Sequence, residues 1–280
     1  VVGRKTNMPA SRSNQNVSQP EFEPRRFRST VPYYARFRLH YPAELIARVA
    51  TMAGLAPGDG VMDLGCGPGL LAVPFAEAGM RVVGIDPEPD MLDAARETAR
   101  AAGVTIDFRQ GSSFDLPTDL GTIHLVAMGR SFHWMDRVET LRTLDTLLPR
   151  SGAIALFEDE HPRTAENAWL LKMSEVGKSY GMHEAAHRMA RTQGDYRTHV
   201  SYLFESVFTN IERVGVYVRR PITIDDIVGR AFSLSMLSKE KLGARADVFE
   251  RDLRAALTAM SADGCFTEIA ELAAIVAKRP

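Results

Sequence analysis

The spacing of apolar positions changes along this chain. Leu45, Ile46, Val49 and Met52 fall on one face of a helix that starts near residue 42; three- and four-residue steps of this kind mark an element packed on one side. Pro42 suits its first turn, and Gly54 with Pro57-Gly58-Asp59 ends it. Short apolar runs then alternate with amphipathic ones. Residues 61–64, 81–85, 104–109, 123–128 and 153–157 read as strands, and 70–78, 89–102 and 137–148 as helices, the last closed by Pro149 and Gly152. Such alternation predicts a parallel sheet with helices on both faces.

The pattern shifts after residue 160. Trp169, Met173, Val176 and Tyr180 share a helix face. Residues 208–219 alternate like an antiparallel strand, and 246–261 and 266–277 read as two closing helices. The expected fold is α/β: a parallel sheet with an antiparallel final strand, helices on both faces and a helical cap. Its expected parts are a tail over 1–30, a core over 31–160, a cap over 161–205, and a final strand with C-terminal helices over 206–280. The tail is rich in Ser, Asn and Gln, and Arg4, Lys5, Arg12, Arg25, Arg26 and Arg28 outnumber Glu21 and Glu23. It holds too few apolar residues to offset its ordering entropy.

Composition narrows the function classes. At 280 residues and 45% hydrophobic, the chain can bury a sizeable core. A formal net charge of -1 gives no general attraction to nucleic acid or acidic membranes. Cys66 and Cys265 are too few and too far apart for a disulfide framework, which fits a reducing compartment. No apolar run approaches the ~18 residues of a membrane span, and the N-terminus lacks the apolar core of a secretory signal. The expectation is a cytoplasmic protein with no membrane and no nucleic-acid partner; a homodimer is left open.

The candidate chemistry starts at Asp63-Leu64-Gly65-Cys66-Gly67-Pro68-Gly69, between the first strand and its helix. Open parallel sheets bind ligands beyond the carboxyl ends of their strands. Glycine lets the backbone turn tightly and come close to a ligand. Asp86 follows at the end of the second strand, where its carboxylate can accept from two vicinal ribose hydroxyls. A dinucleotide site would show G-x-G-x-x-G, but here Leu70 stands in the place of the third glycine and Pro68 lacks an N–H. Loop and acid together fit an adenosyl ligand without a diphosphate.

The glycine segment, then Val83-Gly84-Ile85-Asp86-Pro87, then Met91-Leu92, resembles the class I S-adenosylmethionine-dependent methyltransferases, which have a Rossmann-like core. Tyr33-Tyr34-Ala35-Arg36-Phe37-Arg38-Leu39-His40-Tyr41-Pro42 and Ser131-Phe132-His133-Trp134-Met135-Asp136 resemble its small-molecule, methyltransferase-11-like branch. The resemblance covers roughly residues 30–160. It implies S-adenosyl-L-methionine as cofactor and a small-molecule acceptor, methylated at O, N or C by in-line displacement at the sulfonium methyl. It also implies that Asp63, Gly65, Gly67 and Gly69 serve the methionine half, Asp86 the ribose, and Pro87 and Met91 the adenine border. Phe114, after Ser112 and Ser113, would form the adenine wall. Many relatives carry an acid where Ser112 stands, so that contact is weaker here. Tyr34 or Arg38 would hold the methionine carboxylate, against a plain role in helix packing and solvated charge.

Alignment of the reactants is the main need of such a reaction, and a base serves only a protonated acceptor. His133, after the fourth strand, can accept a proton near neutral pH; it also reads as a surface or capping residue. Trp134 reads as pocket wall or core. Gly129 and Arg130 would lie close to the transferring methyl, with Arg130 able to pair with an anionic substrate. Glu158, the best placed of Glu158-Asp159-Glu160-His161, could draw in a cationic or amine substrate, with His161 beside it. A solvated strand end is the other reading.

Residues 183–187 spell HEAAH. On a helix, His183 and His187 share a face four residues apart, as a zinc site needs, and Glu205 lies downstream. The segment reads as a surface coincidence, as lining of the acceptor pocket, as a metal site orienting the acceptor, or as a zinc protease. The protease reading leaves the glycine loop and Asp86 without a purpose, and no metal is expected. A non-catalytic module that binds an adenosyl ligand is the remaining alternative.

Overall fold

The computed structural model describes residues 30–182 and 197–280. Helices α1 (Val31–Phe37) and α2 (Ala43–Ala53) come first. Then follow β1 (Gly60–Leu64), α3 (Ala72–Glu77), β2 (Arg81–Asp86), α4 (Pro89–Ala101), β3 (Asp107–Gln110), β4 (Leu125–Gly129), α5 (Arg137–Leu147) and β5 (Ala153–Glu160). The rest of the described chain forms α6 (Ala168–Ser179), α7 (His199–Phe204), β6 (Asn210–Thr223), α8 (Ile224–Phe232), α9 (Ala246–Thr258) and β7 (Cys265–Lys278). Among the described residues no helix is long and apolar enough to cross a membrane.

The strands form one sheet in the order β3-β2-β1-β4-β5-β7-β6. β7 runs antiparallel to both its neighbours, and the other pairings are parallel. The predicted α/β sheet with an antiparallel final strand is the observed one. Strand order reverses between β1 and β4, so the connections leaving them diverge and open a crevice at their carboxyl ends.

Period-two alternation divides the core. Val61, Leu125, Ala127, Ala153, Ala155 and Phe157 face α2 and α3, meeting Leu45, Val49, Leu71 and Phe75. Met62, Leu64, Val126, Met128, Ile154 and Leu156 face the other way, toward Leu141 and Leu144 of α5 and Leu203 of α7. A third cluster joins Trp169 and Met173 of α6 to Phe232 of α8 and Phe249 and Leu253 of α9. Local signals set the element ends. Gly54 closes α2 at φ 71°, Pro89 opens α4, and the Asp136 side chain caps α5 by accepting from the Glu139 amide at 3.0 Å.

The expected closing helix over 266–277 is instead most of β7. Every residue from Leu272 to Ala277 is buried, because the strand lies between β5 and β6 with both faces covered. A strand buried on both faces loses its alternation, and the alanines read as helix former. Here Ala270 and Ala274 are small residues in the core facing α2. Strand β3 also begins later than expected, at Asp107.

Candidate active site

The cleft opens where β1, β2 and β4 end, and encloses about 610 Å³, within the size range of small-molecule sites. The chain leaves β1 through glycines in the left-handed region: Gly65 at φ 75°, Gly67 at φ 51° and Gly69 at φ 85°. The amides of Gly65 and Cys66 both donate to the Ile85 carbonyl, at 2.7 and 3.0 Å, which ties the turn to β2. A Cβ on Gly65 would lie 2.5 Å from the Ser131 Cβ, so no larger residue fits. A Cβ on Gly67 would meet nothing closer than the Met91 sulfur at 4.0 Å; that space belongs to the cleft.

Asp86 ends β2 and is 7% exposed. Its Oδ2 accepts from the Gly67 amide at 2.8 Å and its Oδ1 from the Glu88 amide at 2.9 Å. Burial pushes its pKa up to about 6 against these two hydrogen bonds, which favour the charge. Each carboxylate oxygen keeps acceptor capacity for a further donor. Asp63, also buried, accepts from the Ala72 amide at 2.9 Å through Oδ2. Burial pushes its pKa up to about 8 against that bond, and Asp86 adds to the rise.

Arg130 follows β4 in the left-handed region, at φ 56°. That conformation is costly for a side chain with a Cβ, and it folds the guanidinium back under the cleft. Nε pairs with Asp159, one Nη donates to the Leu39 carbonyl at 3.1 Å, and the group covers the Tyr41 ring at 4.8 Å. Burial works against this charge, yet Asp159 outweighs it and the guanidinium pKa is raised. Burial would raise the Asp159 carboxyl, but the Arg130 and Arg38 cations hold it below its usual range. In this structure the carboxylate paired with Arg130 is Asp159 of the next strand.

Asp63, Gly65, Gly67, Asp86, Pro87, Met91, Ser112, Ser113, Phe114, Gly129, Arg130, Tyr34 and Trp134 all line the cleft. Phe114 stands there 70% exposed. The Ser112 hydroxyl accepts from the Phe114 amide at 3.3 Å. Gly69 does not line the cleft; it shapes the turn, with its amide donating to the Cys66 carbonyl at 2.9 Å. Arg38 does not reach the lining either. It stacks on Tyr34 at 4.9 Å and donates to the Ser233 carbonyl at 3.4 Å.

His133 and Glu158 line a separate chamber of about 180 Å³, floored by Met128, Leu156 and Phe157 and edged by His199. Arg130 and Ser131 border both spaces. Glu158 also faces Arg213 at 3.4 Å. His161 lies elsewhere, 2.7 Å from the buried Glu268 and 3.3 Å from Arg230. His183 and His187 lie outside the described residues.

The sequence reading missed Tyr41, Glu88, Gln110, Asp115 and Ser131, all in the lining. Signals existed for three of them. Glu88 stands two residues after Asp86, Asp115 three after Ser112, and Ser131 opens a segment already singled out. Nothing in the sequence places the Ser131 hydroxyl on the Leu64 carbonyl, where it donates at 2.7 Å.

Comparison with known proteins agrees with this geometry. Residues 61–152 match the family model described as a methyltransferase domain. An uncharacterized methyltransferase of Mycobacterium tuberculosis is 28% identical over 150 residues, which cover 54% of this chain and 58% of that protein. A ubiquinone biosynthesis O-methyltransferase of Methylocella silvestris is 34% identical over 125 residues, 41% of this chain and 49% of that one. The chain thus spans about half the length of these two curated relatives. In fold, it is similar to an S-adenosylmethionine-dependent methyltransferase of Thiobacillus denitrificans solved with S-adenosyl-L-homocysteine. That likeness has a TM-score of 0.53 at 19% identity, covering 92% of this chain and 99% of the other.

Residues 61–152 are therefore similar to a methyltransferase domain. The fold built around them is shared with that S-adenosylmethionine-dependent methyltransferase. The residues present fit S-adenosylmethionine. Gly67 leaves open space where a Cβ would stand, Asp86 keeps free lone pairs at the cleft, and the buried Tyr41 hydroxyl has no hydrogen-bond partner.

Proposed function

We propose that this chain transfers a methyl group from S-adenosylmethionine to a small molecule by in-line displacement. One observation carries the reading: a glycine turn whose amide is bonded to Asp86, at the mouth of a cleft where strand order reverses. Bound there, the cofactor supplies an electrophilic methyl on a sulfonium that is already a good leaving group. Gly65 and Gly67 give its methionine half a floor without side chains, beside Asp63. Asp86 accepts from the ribose hydroxyls, while Pro87, Met91 and Phe114 border the base. Ser112, Ser113 and Asp115 offer polar atoms at that end.

The chamber floored by Met128, Leu156 and Phe157, with His199 at its edge, takes the acceptor. It shares Arg130 and Ser131 with the cleft as lining and has room for a ring-sized apolar group. Holding two reactants in line supplies ~7–11 kcal/mol of a barrier, which is the main service asked of this site. His133 takes the proton of a hydroxyl acceptor, and Glu158 favours a cationic one. The likeness to ubiquinone biosynthesis O-methyltransferases favours a hydroxyl.

The test is transfer of labelled methyl from the cofactor to a panel of phenols, amines and carboxylic acids. A phenolic acceptor is expected to be methylated. His133→Asn should lower kcat by about 10²-fold on that acceptor, the low end of base catalysis, with S-adenosylhomocysteine affinity unchanged. Tight binding of the cofactor without transfer to any of the panel would favour the non-catalytic module instead.

A further inference from the structure

β6 is the last strand of the sheet, and among the described residues no strand pairs with its outer edge. It runs for 14 residues, where a strand usually has about 5–6. Its register against β7 is unbroken from Asn210↔Lys278 to Thr223↔Cys265. The Ile224 amide continues that register, donating to the Gly264 carbonyl at 3.1 Å. Hydrogen-bonded pairs alternate along an antiparallel ladder, so the even-numbered residues of β6 turn their amides and carbonyls to β7. Those of Ile211, Arg213, Gly215, Tyr217 and Arg219 point outward. Pro221 fits that parity, because a strand tolerates proline where the missing N–H faces away from the ladder. An open edge of this length is a template for another strand.

The charges along this edge say what the other strand is. Side chains alternate between the faces of a strand. Glu212 and Arg220 share the face on which Val214, Val216 and Val218 pack against the core beneath α2. Arg213, Tyr217 and Arg219 share the other. Each face is out of balance. On the first, Arg220 and Arg230 share one carboxylate, that of Glu268. On the second, Arg213 serves two, Glu271 at 2.9 Å and Glu158 at 3.4 Å. The Glu212 and Arg219 side chains, one of each sign, make no ion pair or hydrogen bond with another described residue. Tyr217 is 65% exposed, and Gly215 on the same face has no side chain. The strand thus holds both the surplus charges and the free charges that answer them, which is the self-complementarity a twofold interface requires.

We propose that β6 pairs antiparallel with β6 of a second copy of this chain, with Val216 on the twofold axis, so that the two sheets become one. In that register Glu212 faces Arg220 of the second copy, on the cation-rich face. Arg219 falls beside Arg213 of the second copy, on the carboxylate-rich face. Tyr217 packs over Gly215 of the second copy and Val214 meets Val218, cross-strand pairs that stabilise a sheet. Moving the axis to Gly215 or Tyr217 keeps outward residues opposite one another, but sets Glu212 against Val218 or Ile222 and leaves its charge unanswered.

The test is analytical ultracentrifugation of the full chain, together with a cysteine series made in a Cys265→Ser background, which removes the exposed native thiol. The chain should sediment as a dimer at micromolar concentration. Val216→Cys should cross-link to itself under mild oxidation, since such a non-hydrogen-bonded pair holds its Cα atoms about 4.5 Å apart, within disulfide reach. Val214→Cys and Val218→Cys should each fail to do so alone and should cross-link when mixed. Tyr217→Pro removes only an outward amide, and should be monomeric with the parent's far-ultraviolet circular dichroism. Glu212→Arg sets like charges opposite each other at two symmetric places, and should weaken the dimer about tenfold. Should Tyr217→Pro not fold, the cysteine series decides alone. A chain that stays monomeric at every concentration, self-cross-linking at 214 or 218 as ready as at 216, a folded Tyr217→Pro that dimerises like the parent, or a Glu212→Arg dimer as tight as the parent's would each overturn the proposal.

Discussion

Asp86 carries a tension that can be measured. Burial holds its pKa up at about 6, while two backbone amides are placed for the ionised form. Hydrogen bonds donated by a ribose favour the carboxylate further. Ligand binding should therefore lower this pKa and release a proton wherever the free protein still holds one. Titration of S-adenosylhomocysteine at pH 6, in buffers of different ionisation enthalpy, should show net proton release that fades toward pH 8. Affinity should rise with pH through about 6. Absence of proton exchange at pH 6 would mean that Asp86 does not meet the ligand. The same shift acts on folding: a carboxyl raised in the native state binds protons that the unfolded chain has lost, so its contribution to stability falls as pH climbs from about 4 toward 6. Asp63 extends that decline toward about 8. At this scale, the glycines and Asp86 were legible because each follows or ends one of two consecutive strands, β1 and β2. The pair of Arg130 with Asp159 was not legible, because Asp159 lies on the next strand and no local spacing joins them.

Among the elements, β7 bears the most and was the least legible. Its pattern over 266–277 fits a helix as well as a strand buried on both faces. Strands β1 to β5 were legible because each is short and bounded by turn residues. At its start β7 also carries Glu268, fully buried among Arg230, Arg220 at 2.8 Å and His161 at 2.7 Å. Arg230 in turn reaches the Phe37 carbonyl at 3.4 Å, so the carboxylate on β7 anchors α8 and, through it, α1. Glu268→Gln would leave buried guanidinium charge unmatched, a loss worth about 3–5 kcal/mol in such settings. Chemical denaturation should show a fall of that order. Cofactor affinity should fall as well, because α1 carries Tyr34 to the cleft. The surrounding cations hold the Glu268 carboxyl down at about 2 against the effect of burial. Its stabilisation is therefore fully present above the usual carboxylate range and is lost as pH falls through about 2. A variant as stable as the parent at pH 7 would show that the network is not what ties these elements together.

Across the whole molecule, function depends on where the strand order reverses. The sheet places the ends of β1, β2 and β4 side by side, and α1 and the start of α2 bring Tyr34 and Tyr41 over them. The parallel part of the fold was legible because repeated strand–helix units admit few topologies. The smaller chamber was not, since it gathers residues from β4, β5 and α7 that are far apart in sequence. A ligand bound only by the native state raises stability by mass action, about 2.7 kcal/mol at a hundred times its Kd. S-adenosylhomocysteine should therefore raise the unfolding temperature of this chain, and Asp86→Ala should remove most of that gain. The most direct measurement is calorimetric titration of S-adenosylhomocysteine into the full chain at pH 7.5. The expected result is saturable one-to-one binding that Asp86→Ala weakens by tenfold or more, as the loss of bonds to a charged acceptor implies. Absence of heat together with an unchanged unfolding temperature would contradict the account.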